Sequence, residues 1–184
     1  SALLTTMFHG LKAMGMWTDD RGSNLLDGGA PFYDVYETSD GGYMAVGPIE
    51  PKFYVQLIAG LELAGDIPGQ YDQSRWPELK ARLAEQFKAK TRDEWTQIFG
   101  DTDACVYPVL SLSEAPTHPY NEARQTFIEV DGVVQPAPAP RFERTPLGTP
   151  KAPAAPGTHT DEILEELGID AARREALRHS GVIG

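Results

Sequence analysis

The sequence has a single cysteine, Cys105, among its 184 residues. The chain therefore cannot form an internal disulfide, which is typical of proteins of the reducing cytoplasm. No apolar run approaches the roughly 18 residues that a membrane-spanning helix needs, and no cleavable signal pattern opens the chain. These absences lead us to expect a cytoplasmic protein without a membrane span.

Basic residues are also scarce. Lys and Arg number 16 against 27 Asp and Glu, which gives a formal net charge of −11. Nucleic-acid binding needs clusters of Lys and Arg that neutralise phosphates, and the sequence contains no such cluster. A nucleic-acid partner is therefore not expected, and an anionic small molecule would need a local basic patch to overcome the overall field.

The sequence also lacks a self-contained catalytic or metal-binding signature. It has no phosphate-binding loop, nucleophile elbow or zinc-ligand spacing. The four histidines are scattered, at His9, His118, His159 and His179. His9 falls in a Met- and Leu-rich segment, where a core or interface position is favoured over catalysis. Cys105 falls in an apolar stretch without a cationic neighbour, which predicts a buried structural thiol. No metal site is expected.

Helical patterns occupy much of the first hundred residues. Apolar residues recur at i, i+3, i+4 and i+7 over residues 2–17, 51–61 and 74–89, and a fourth helix is predicted from Thr91. Ser74 is the expected N-cap of the third helix, and Thr91 and Glu94 are spaced as a capping box for the fourth. The apolar side of the first helix predicts self-association, because a lone amphipathic helix has to cover that side.

Strand patterns are fewer and shorter. Residues 32–38 and 43–47 predict a β-hairpin through a Ser-Asp-Gly-Gly turn, and residues 104–110 predict a strand interrupted by Pro108. Asp131-Gly132 predicts a second hairpin. Seven prolines over residues 136–156 predict an extended strap, followed by a helix capped by Thr160 and a last helix over about residues 170–179. The predicted fold class is α+β.

Residues of one turn and of one helix start are the candidates for function. Asp27 precedes Gly28-Gly29, where the residues alone favour an Asx turn over ligand binding. The two glycines do not open a helix after a strand, so a turn is favoured over a phosphate cradle. Glu78 lies at a helix start, where stabilising the helix dipole is favoured over catalysis.

Several long motifs, in one order along the chain, carry a family resemblance. They lie at residues 21–33, 43–54, 76–79, 102–110, 159–168 and 181–183. In this order they resemble the C-terminal half of the α-methylacyl-CoA racemases, a branch of the family III CoA-transferase superfamily. The resemblance spans essentially the whole chain. The Leu26–Pro31 and Ile49–Pro51 stretches lean towards the racemase branch, whereas Pro48 and Tyr107 depart from the family pattern.

The resemblance implies an isomerase of fatty acid metabolism that inverts the carbon beside the thioester carbonyl of a 2-methylacyl-CoA. One base removes the acidic α-proton and an acid on the opposite face returns a proton. The family uses a His and an Asp for this, both expected upstream of residue 1, so the chain is expected to be an inactive fragment on its own. Glu78 is expected to hydrogen-bond that His. No cofactor is required, because the CoA thioester is the substrate.

Binding residues and partners are implied in the same way. The substrate-binding residues expected from the resemblance are Asn24, Asp27, Gly28 and Gly29. Two chains are expected to interlock as a homodimer, so that an active site combines parts of both. Residues 1–31 would be a helix and linker from an incomplete Rossmann-like large domain, residues 32–139 a small α+β domain, and residues 140–184 a strap and helices returning to the large domain.

Two alternatives stay open from the sequence. A CoA-transferase of the same superfamily would use an upstream Asp as a nucleophile that forms an acyl anhydride. A truncated relative would act as a non-catalytic binding or assembly module.

Overall fold

The computed structural model describes residues 2–63 and 65–183. The chain divides into two compact units, one ending at Ser111 and the other beginning at Leu112. Each unit combines helices with a small antiparallel sheet, which confirms the predicted α+β class. The three segments predicted from the resemblance, 1–31, 32–139 and 140–184, describe a relation to a larger domain and stay a prediction.

The first unit opens with a helical segment that is shorter than predicted. A 3₁₀ turn, Ala2–Thr5, leads into α1, Thr6–Ala13. The helix ends there because Gly15 takes a φ of +71° and the Met16 amide bonds back to the Leu11 carbonyl at 2.9 Å, as in a Schellman motif.

A three-stranded antiparallel sheet follows, with the order β1 (Asp34–Glu37), β2 (Tyr43–Val46) and β3 (Val106–Pro108). Val35, Ala45 and Tyr107 face one another across the strands. Because side chains alternate along a strand, these three lie on the face opposite to the buried Tyr36 and Met44. The sheet therefore has one buried face and one outer face.

Three helices supply the rest of this unit's core: α2 (Pro51–Gly60), α3 (Trp76–Phe87) and α4 (Arg92–Phe99). Sixteen apolar side chains from the sheet, the helices and nearby loops form one buried cluster: Ala30, Phe32, Tyr36, Met44, Val46, Tyr54, Leu57, Leu61, Trp76, Leu79, Leu83, Phe87, Trp95, Phe99, Ala104 and Val106. The Phe87 ring stacks on Tyr36 at 5.2 Å and meets Trp95 edge-on at 5.3 Å.

The two N-terminal caps predicted in this unit have different outcomes. The capping box is confirmed: the Glu94 amide donates to Thr91 Oγ1 at 3.3 Å, and the Thr91 amide donates to Glu94 Oε2 at 2.8 Å. The Ser74 cap is wrong. Residues Gln73–Arg75 form a 3₁₀ turn before α3, and Ser74 Oγ donates to the Asp72 carboxylate at 2.5 Å instead.

The second unit contains a 3₁₀ turn (Ala115–Thr117), α5 (Pro119–Ala123) and a hairpin of β4 (Phe127–Val130) and β5 (Val133–Pro136). The predicted Asp131-Gly132 turn is confirmed, with φ values of +52° and +77° that fit a type I′ turn. Residues 137–159 contain neither helix nor strand.

Two short helices complete the second unit: α6 (Thr160–Glu166) and α7 (Ala171–His179). The predicted Thr160 cap is wrong by one residue, because Thr160 is the first helical residue and His159 is the N-cap. Gly168 takes the left-handed conformation expected of a residue just after a helix, with φ +80°. Across the described ranges, no helix is long and apolar enough to cross a membrane.

Candidate functional site

The loop before β1 is organised by one buried polar side chain, Asn24. Its Oδ1 accepts from the Thr18 amide at 2.7 Å, and its Nδ2 donates to the Thr18 carbonyl at 3.2 Å and to Asp27 Oδ2 at 2.7 Å. Asn24 is 5% exposed, so its contacts are made within the loop. Asn24, which the resemblance predicts to bind substrate, therefore uses its side chain to hold residues 18–27 in one conformation.

Asp27 completes the same network. Its Oδ1 accepts from the amides of Asn24, at 2.8 Å, and Gly29, at 3.2 Å, and its Oδ2 accepts from the Gly22 amide at 3.1 Å. Burial acts to raise the pKa of Asp27, but the hydrogen bonds from Asn24, Gly29 and Gly22 together hold it below its ordinary value. The geometry is the Asx-type turn that the residues alone favoured.

Gly28 and Gly29 serve the loop in different ways. Gly28 has a φ of +88°, and its carbonyl accepts from Lys80 Nζ at 2.5 Å. Lys80 Nζ also pairs with the Asp34 carboxylate, so the loop is tied to α3 and to the start of β1. At Gly29 a Cβ would lie 2.5 Å from the Ser23 carbonyl carbon, so no side chain fits there.

The loop and the start of α3 together line a small cavity of about 300 Å³. Its lining residues are Gly22, Ser23, Gly29, Gln73, Trp76, Pro77 and Lys80. Of the predicted binding residues, Gly29 lines this cavity. Glu78 is absent from the lining, although it lies on the same helix.

Glu78 is instead bound by an arginine. Arg75 Nε donates to Glu78 Oε2 at 2.9 Å, and Arg75 Nη2 donates to Oε1 at 2.8 Å. The hydrogen bonds from Arg75 are the main cause that lowers the pKa of Glu78. Both carboxylate oxygens of the predicted supporting residue are thus already engaged.

A second carboxylate, Glu50, is free of such contacts. Glu50 is exposed and precedes α2, and its side chain makes no cap hydrogen bond. Among the described residues, no hydrogen bond or ion pair involves its carboxylate. Glu50 belongs to the family motif at residues 43–54, but the sequence predicted no role for it. The signal that could have identified it is Pro51, which begins the helix and places Glu50 at the exposed N-cap position.

An open groove of about 500 Å³ lies on the outer face of the sheet. Its lining residues are Leu26, Asp27, Gly28, Tyr33, Asp34, Val35, Ala45, Val46, Gly47, Cys105 and Tyr107. Asp27 and Gly28, two of the predicted binding residues, therefore border the groove. Glu50 follows Gly47 by three residues, with the Ile49 amide bonded to the Gly47 carbonyl at 2.9 Å.

The cysteine lies in this groove, which corrects one prediction. Cys105 is partly exposed and precedes β3, with φ +52°, so it is neither buried nor within a strand. Burial is the larger cause that raises the pKa of its thiol, and the charges of Glu50 and Asp103 add to it. The absence of a cationic neighbour, which the sequence indicated, agrees with this direction.

The histidines do not form a site. His9 is exposed on α1, so a core position is wrong and an interface position stays a prediction. His159 Nδ1 lies 3.2 Å from Glu162 Oε2 on the surface. Across the parts of the chain that the structure describes, no group of three or more His, Cys, Asp or Glu residues is arranged to hold a metal ion.

Comparison with known proteins identifies the family. The model of CoA-transferase family III matches residues 2–160. The chain belongs to CoA-transferase family III. This membership agrees with the resemblance carried by the motifs of the Asn24–Gly29 loop and of the strand leading to Glu50.

Two curated proteins are similar over nearly the full chain. The mouse protein named alpha-methylacyl-CoA racemase is 47% identical over 92% of the chain and 45% of its own length. The human protein of that name is 46% identical over 100% of the chain and 49% of its own length. The chain thus spans about half the length of the curated relatives it matches.

A solved structure shares the fold of much of the chain. A crystal structure of a hypothetical protein, Rv3272, from Mycobacterium tuberculosis superposes with a TM-score of 0.57 at 20% identity. The match covers 71% of this chain and 38% of that chain. At this identity the likeness concerns the fold alone.

Proposed function

We propose that this family III chain serves the epimerisation of 2-methylacyl-CoA thioesters in fatty acid metabolism. One observation carries the proposal: the 46–47% identity, over 92–100% of the chain, to two proteins named alpha-methylacyl-CoA racemase. The reaction class is an isomerisation in which the α-proton leaves one face of the carbon and a proton returns to the other.

The chain's part in this reaction is to support the proton-transferring groups and to bind substrate. The resemblance assigns those groups, a His and an Asp, to a segment outside this sequence, and that assignment is part of the proposal. A His that exchanges protons needs a partner that fixes its orientation and tautomer. A carboxylate with unoccupied oxygens is suited to that task.

Two glutamates compete for this supporting role. The resemblance names Glu78, whose two oxygens are held by Arg75 at 2.8 and 2.9 Å. Glu50 is the better candidate, because its exposed carboxylate makes no hydrogen bond or ion pair among the described residues. It follows Gly47, which lines the outer groove of the sheet, by three residues along the chain. In the proposal, Glu50 orients the His and the Glu78–Arg75 pair stabilises the start of α3.

Asn24, Asp27, Gly28 and Gly29 contribute to substrate binding through backbone shape in this proposal. The side-chain polar atoms of Asn24 and Asp27 form hydrogen bonds within the loop. These bonds fix the backbone of Gly28 beside the groove and that of Gly29 beside the small cavity. The substrate would then meet the surface of this loop, without direct bonds from the Asn24 side chain.

The remaining parts of the proposal concern the assembly. We infer a homodimer in the cytoplasm, acting on an acyl-CoA substrate without a further cofactor. The exposed apolar side chains of the first helical segment support an association surface, with Leu3 85% and Leu4 84% exposed. The single cysteine supports a reducing compartment.

A CoA-transferase is the second candidate function. It is favoured by a Caenorhabditis elegans relative named as a CaiB/baiF CoA-transferase family protein, which is 34% identical over 64% of this chain. In that reaction CoA moves between two carboxylic acids and the α-hydrogen is retained. The third hypothesis, a non-catalytic assembly module, predicts neither reaction.

The deciding experiment follows the α-hydrogen and the CoA group separately. The protein expressed from its complete reading frame is incubated in ²H₂O with (R)-2-methylacyl-CoA, with and without a free carboxylic acid as acceptor. A racemase incorporates deuterium at the α-carbon, forms the S epimer and needs no acceptor. If a new thioester forms only with the acceptor and retains the α-hydrogen, the protein is a transferase and the racemase proposal is refuted. If neither reaction occurs, the non-catalytic assembly module is the hypothesis that stands.

A further inference from the structure

The backbone that carries Glu50 is fixed on its C-terminal side by the start of α2. The Glu50 carbonyl accepts from the amides of Phe53 and Tyr54, each at 3.0 Å. Pro51 follows directly, and a residue before proline is restricted to extended backbone, which agrees with the φ of −72° and ψ of 137° at Glu50. The carboxylate makes no cap bond to this helix. The backbone is therefore held while the carboxylate stays available.

On the N-terminal side of Glu50, a glutamine reaches the backbone from the loop before α3. Gln70 Nε2 donates to the carbonyls of Pro48, at 3.0 Å, and Ile49, at 2.8 Å. Tyr71 Oη donates to the same Ile49 oxygen at 2.6 Å. This oxygen belongs to the peptide unit that contains the Glu50 amide. Because a peptide unit is planar, bonds that hold its oxygen also fix the plane from which Glu50 starts.

The loop that supplies Gln70 is itself attached to the core. Gln70 is 9% exposed, and its carbonyl accepts from the indole Nε1 of the buried Trp76 at 2.9 Å. The ring of Tyr71 meets the buried ring of Phe32 edge-on, with 5.5 Å between the centroids. Two aromatic side chains of the core thus fix the loop. A side chain on a fixed loop can hold the segment before Glu50 in one position.

The side-chain amide of Gln70 suits this contact, and a carboxylate of the same size does not. Both partners are carbonyl oxygens, which only accept, so the side chain has to present its two N–H donors. The Ile49 oxygen already has a donor in Tyr71. The second bond, from Gln70, is therefore not needed to satisfy this oxygen, and it restricts the orientation of the peptide unit.

We propose that Gln70 is a positioning residue that holds the backbone of Glu50, and through it the carboxylate, in the place where the catalytic His meets it. Tyr71 assists with its bond to the Ile49 carbonyl. The inference rests on the proposed function, which gives Glu50 its role, and adds the residue that keeps Glu50 in place. Such a residue matters because a misplacement of about 1 Å in an active site can cost roughly a hundredfold in rate.

The first test removes both donors. Gln70→Met keeps the length of the side chain, and Gln56→Met is the matched control, since Gln56 Oε1 accepts from the Asp103 amide at 2.9 Å, away from Glu50. Deuterium exchange at the α-carbon of (R)-2-methyldodecanoyl-CoA is measured on the protein from its complete reading frame. Gln70→Met is expected to lower kcat roughly tenfold and to change KM less than about twofold. Gln56→Met should change neither by more than about twofold.

The second test asks whether the effect passes through Glu50. In the Glu50→Gln background, Gln70→Met is expected to lower kcat further by less than about twofold, because residues that act as one unit are not additive. Gln70→Glu places a carboxylate against two carbonyl oxygens and should lower kcat at least as much as Gln70→Met at neutral pH. Burial raises the pKa of the introduced carboxyl, and its protonated form can donate one bond. The kcat of Gln70→Glu relative to the wild type should therefore recover as pH falls.

The third test needs no substrate. Amide hydrogen exchange, followed by mass spectrometry of peptides that cover residues 48–54, reports on the amides of Phe53 and Tyr54, which bond to the Glu50 carbonyl. Gln70→Met is expected to speed their exchange at least about fivefold, because a looser segment opens more often. Gln56→Met should leave it unchanged. This readout does not depend on the racemase assignment.

The outcomes separate the two proposals. A wild type that exchanges no α-hydrogen, together with faster amide exchange in Gln70→Met, would refute the racemase and keep the fixation of the Glu50 backbone by Gln70. An active wild type whose kcat is unchanged in Gln70→Met, even with a lower Tm, would make Gln70 a purely structural residue and overturn the inference. An equal loss of kcat with Glu50 present or replaced would show that Gln70 acts by another route and would also overturn it.

Discussion

Arg75 binds Glu78 through two parallel hydrogen bonds, from Nε to Oε2 at 2.9 Å and from Nη2 to Oε1 at 2.8 Å. Arg75 Nη2 also lies 3.1 Å from Asp66 Oδ2. Bidentate arginine–carboxylate pairs are among the stronger charged hydrogen bonds of proteins. A carboxylate held in this way is poorly placed to accept a further bond from an imidazole, which is the reason that we propose Glu50 for the supporting role.

The first prediction compares two isosteric variants. Glu50→Gln is expected to lower kcat for α-proton exchange by roughly tenfold or more, because general acid–base catalysis depends on the orientation of the His. Glu78→Gln keeps one acceptor for Arg75 and is expected to change kcat less than about twofold. Exchange rates across pH, measured on the protein expressed from its complete reading frame, test both variants, and the reverse ranking would return Glu78 to the role named by the resemblance.

The second prediction concerns the pH dependence of the Asn24–Asp27 loop. The pKa of Asp27 is below its ordinary value of 3.8 in the folded chain, because the hydrogen bonds from the loop outweigh burial. A carboxyl with a depressed folded-state pKa contributes stability above the unfolded pKa, and this contribution is lost as pH falls through the folded-state pKa. Asp27→Asn should therefore be less stable than the wild type at neutral pH, and the difference should shrink below about pH 4.

The measurement is urea unfolding at neutral and acidic pH. Asp101→Asn is a matched control that removes a charge from an exposed aspartate outside this loop, and Asp27→Asn should lose more stability than this control at neutral pH. An Asp27→Asn difference that does not change between neutral and acidic pH would contradict the assignment of the acid-sensitive contribution to this loop.

Features set by a few neighbouring residues were predictable from the sequence. The Thr91–Glu94 capping box and the Asp131-Gly132 turn each depend on at most four consecutive residues, and both are confirmed. The first residue of a helix was harder to predict, because a hydroxyl residue near a helix start can occupy the N-cap or a neighbouring position. Ser74 donates to Asp72 instead of capping α3. The end of α1 depended on Gly15, whose left-handed conformation stops the helix before residue 17.

The candidate site was predictable in part. The family membership and the Asx turn at Asp27 followed from motif and local chemistry. The Arg75–Glu78 pair has i, i+3 spacing and could have been found from the sequence. The tie from Lys80 to Gly28 spans 52 positions, and the groove on the outer face depends on the register of three strands. Contacts between residues so far apart along the chain depend on the folded structure and could not be predicted from local sequence patterns.

The third prediction concerns Gly29. In Gly29→Ala the new Cβ would lie 2.5–2.6 Å from backbone atoms of Ser23 and Asn24, so the loop has to move. Overpacking of this kind typically costs about 1–3 kcal/mol. Gly10→Ala is the control, since its Cβ meets nothing within 4 Å, and alanine in a helix is favoured over glycine by about 1 kcal/mol. Thermal unfolding should show a lower Tm for Gly29→Ala and an equal or higher Tm for Gly10→Ala. An unchanged Tm for Gly29→Ala would mean that the loop yields freely.

The fourth prediction concerns the apolar side of the first helical segment. Leu4 is 84% and Met7 55% exposed in the isolated chain, so their burial in a dimer would remove apolar surface from water. The double variant Leu4→Gln, Met7→Gln is expected to raise the Kd of self-association by at least about tenfold, since the loss of ~1.4 kcal/mol of apolar burial suffices. Val55→Gln makes the same chemical change at a 65% exposed position on α2 and should leave the Kd unchanged.

Sedimentation velocity over a concentration series measures all three proteins. A wild-type chain that stays monomeric at high concentration would refute an association surface on this segment, and an equal effect of Val55→Gln would show that the variants reduce non-specific stickiness instead of a defined contact.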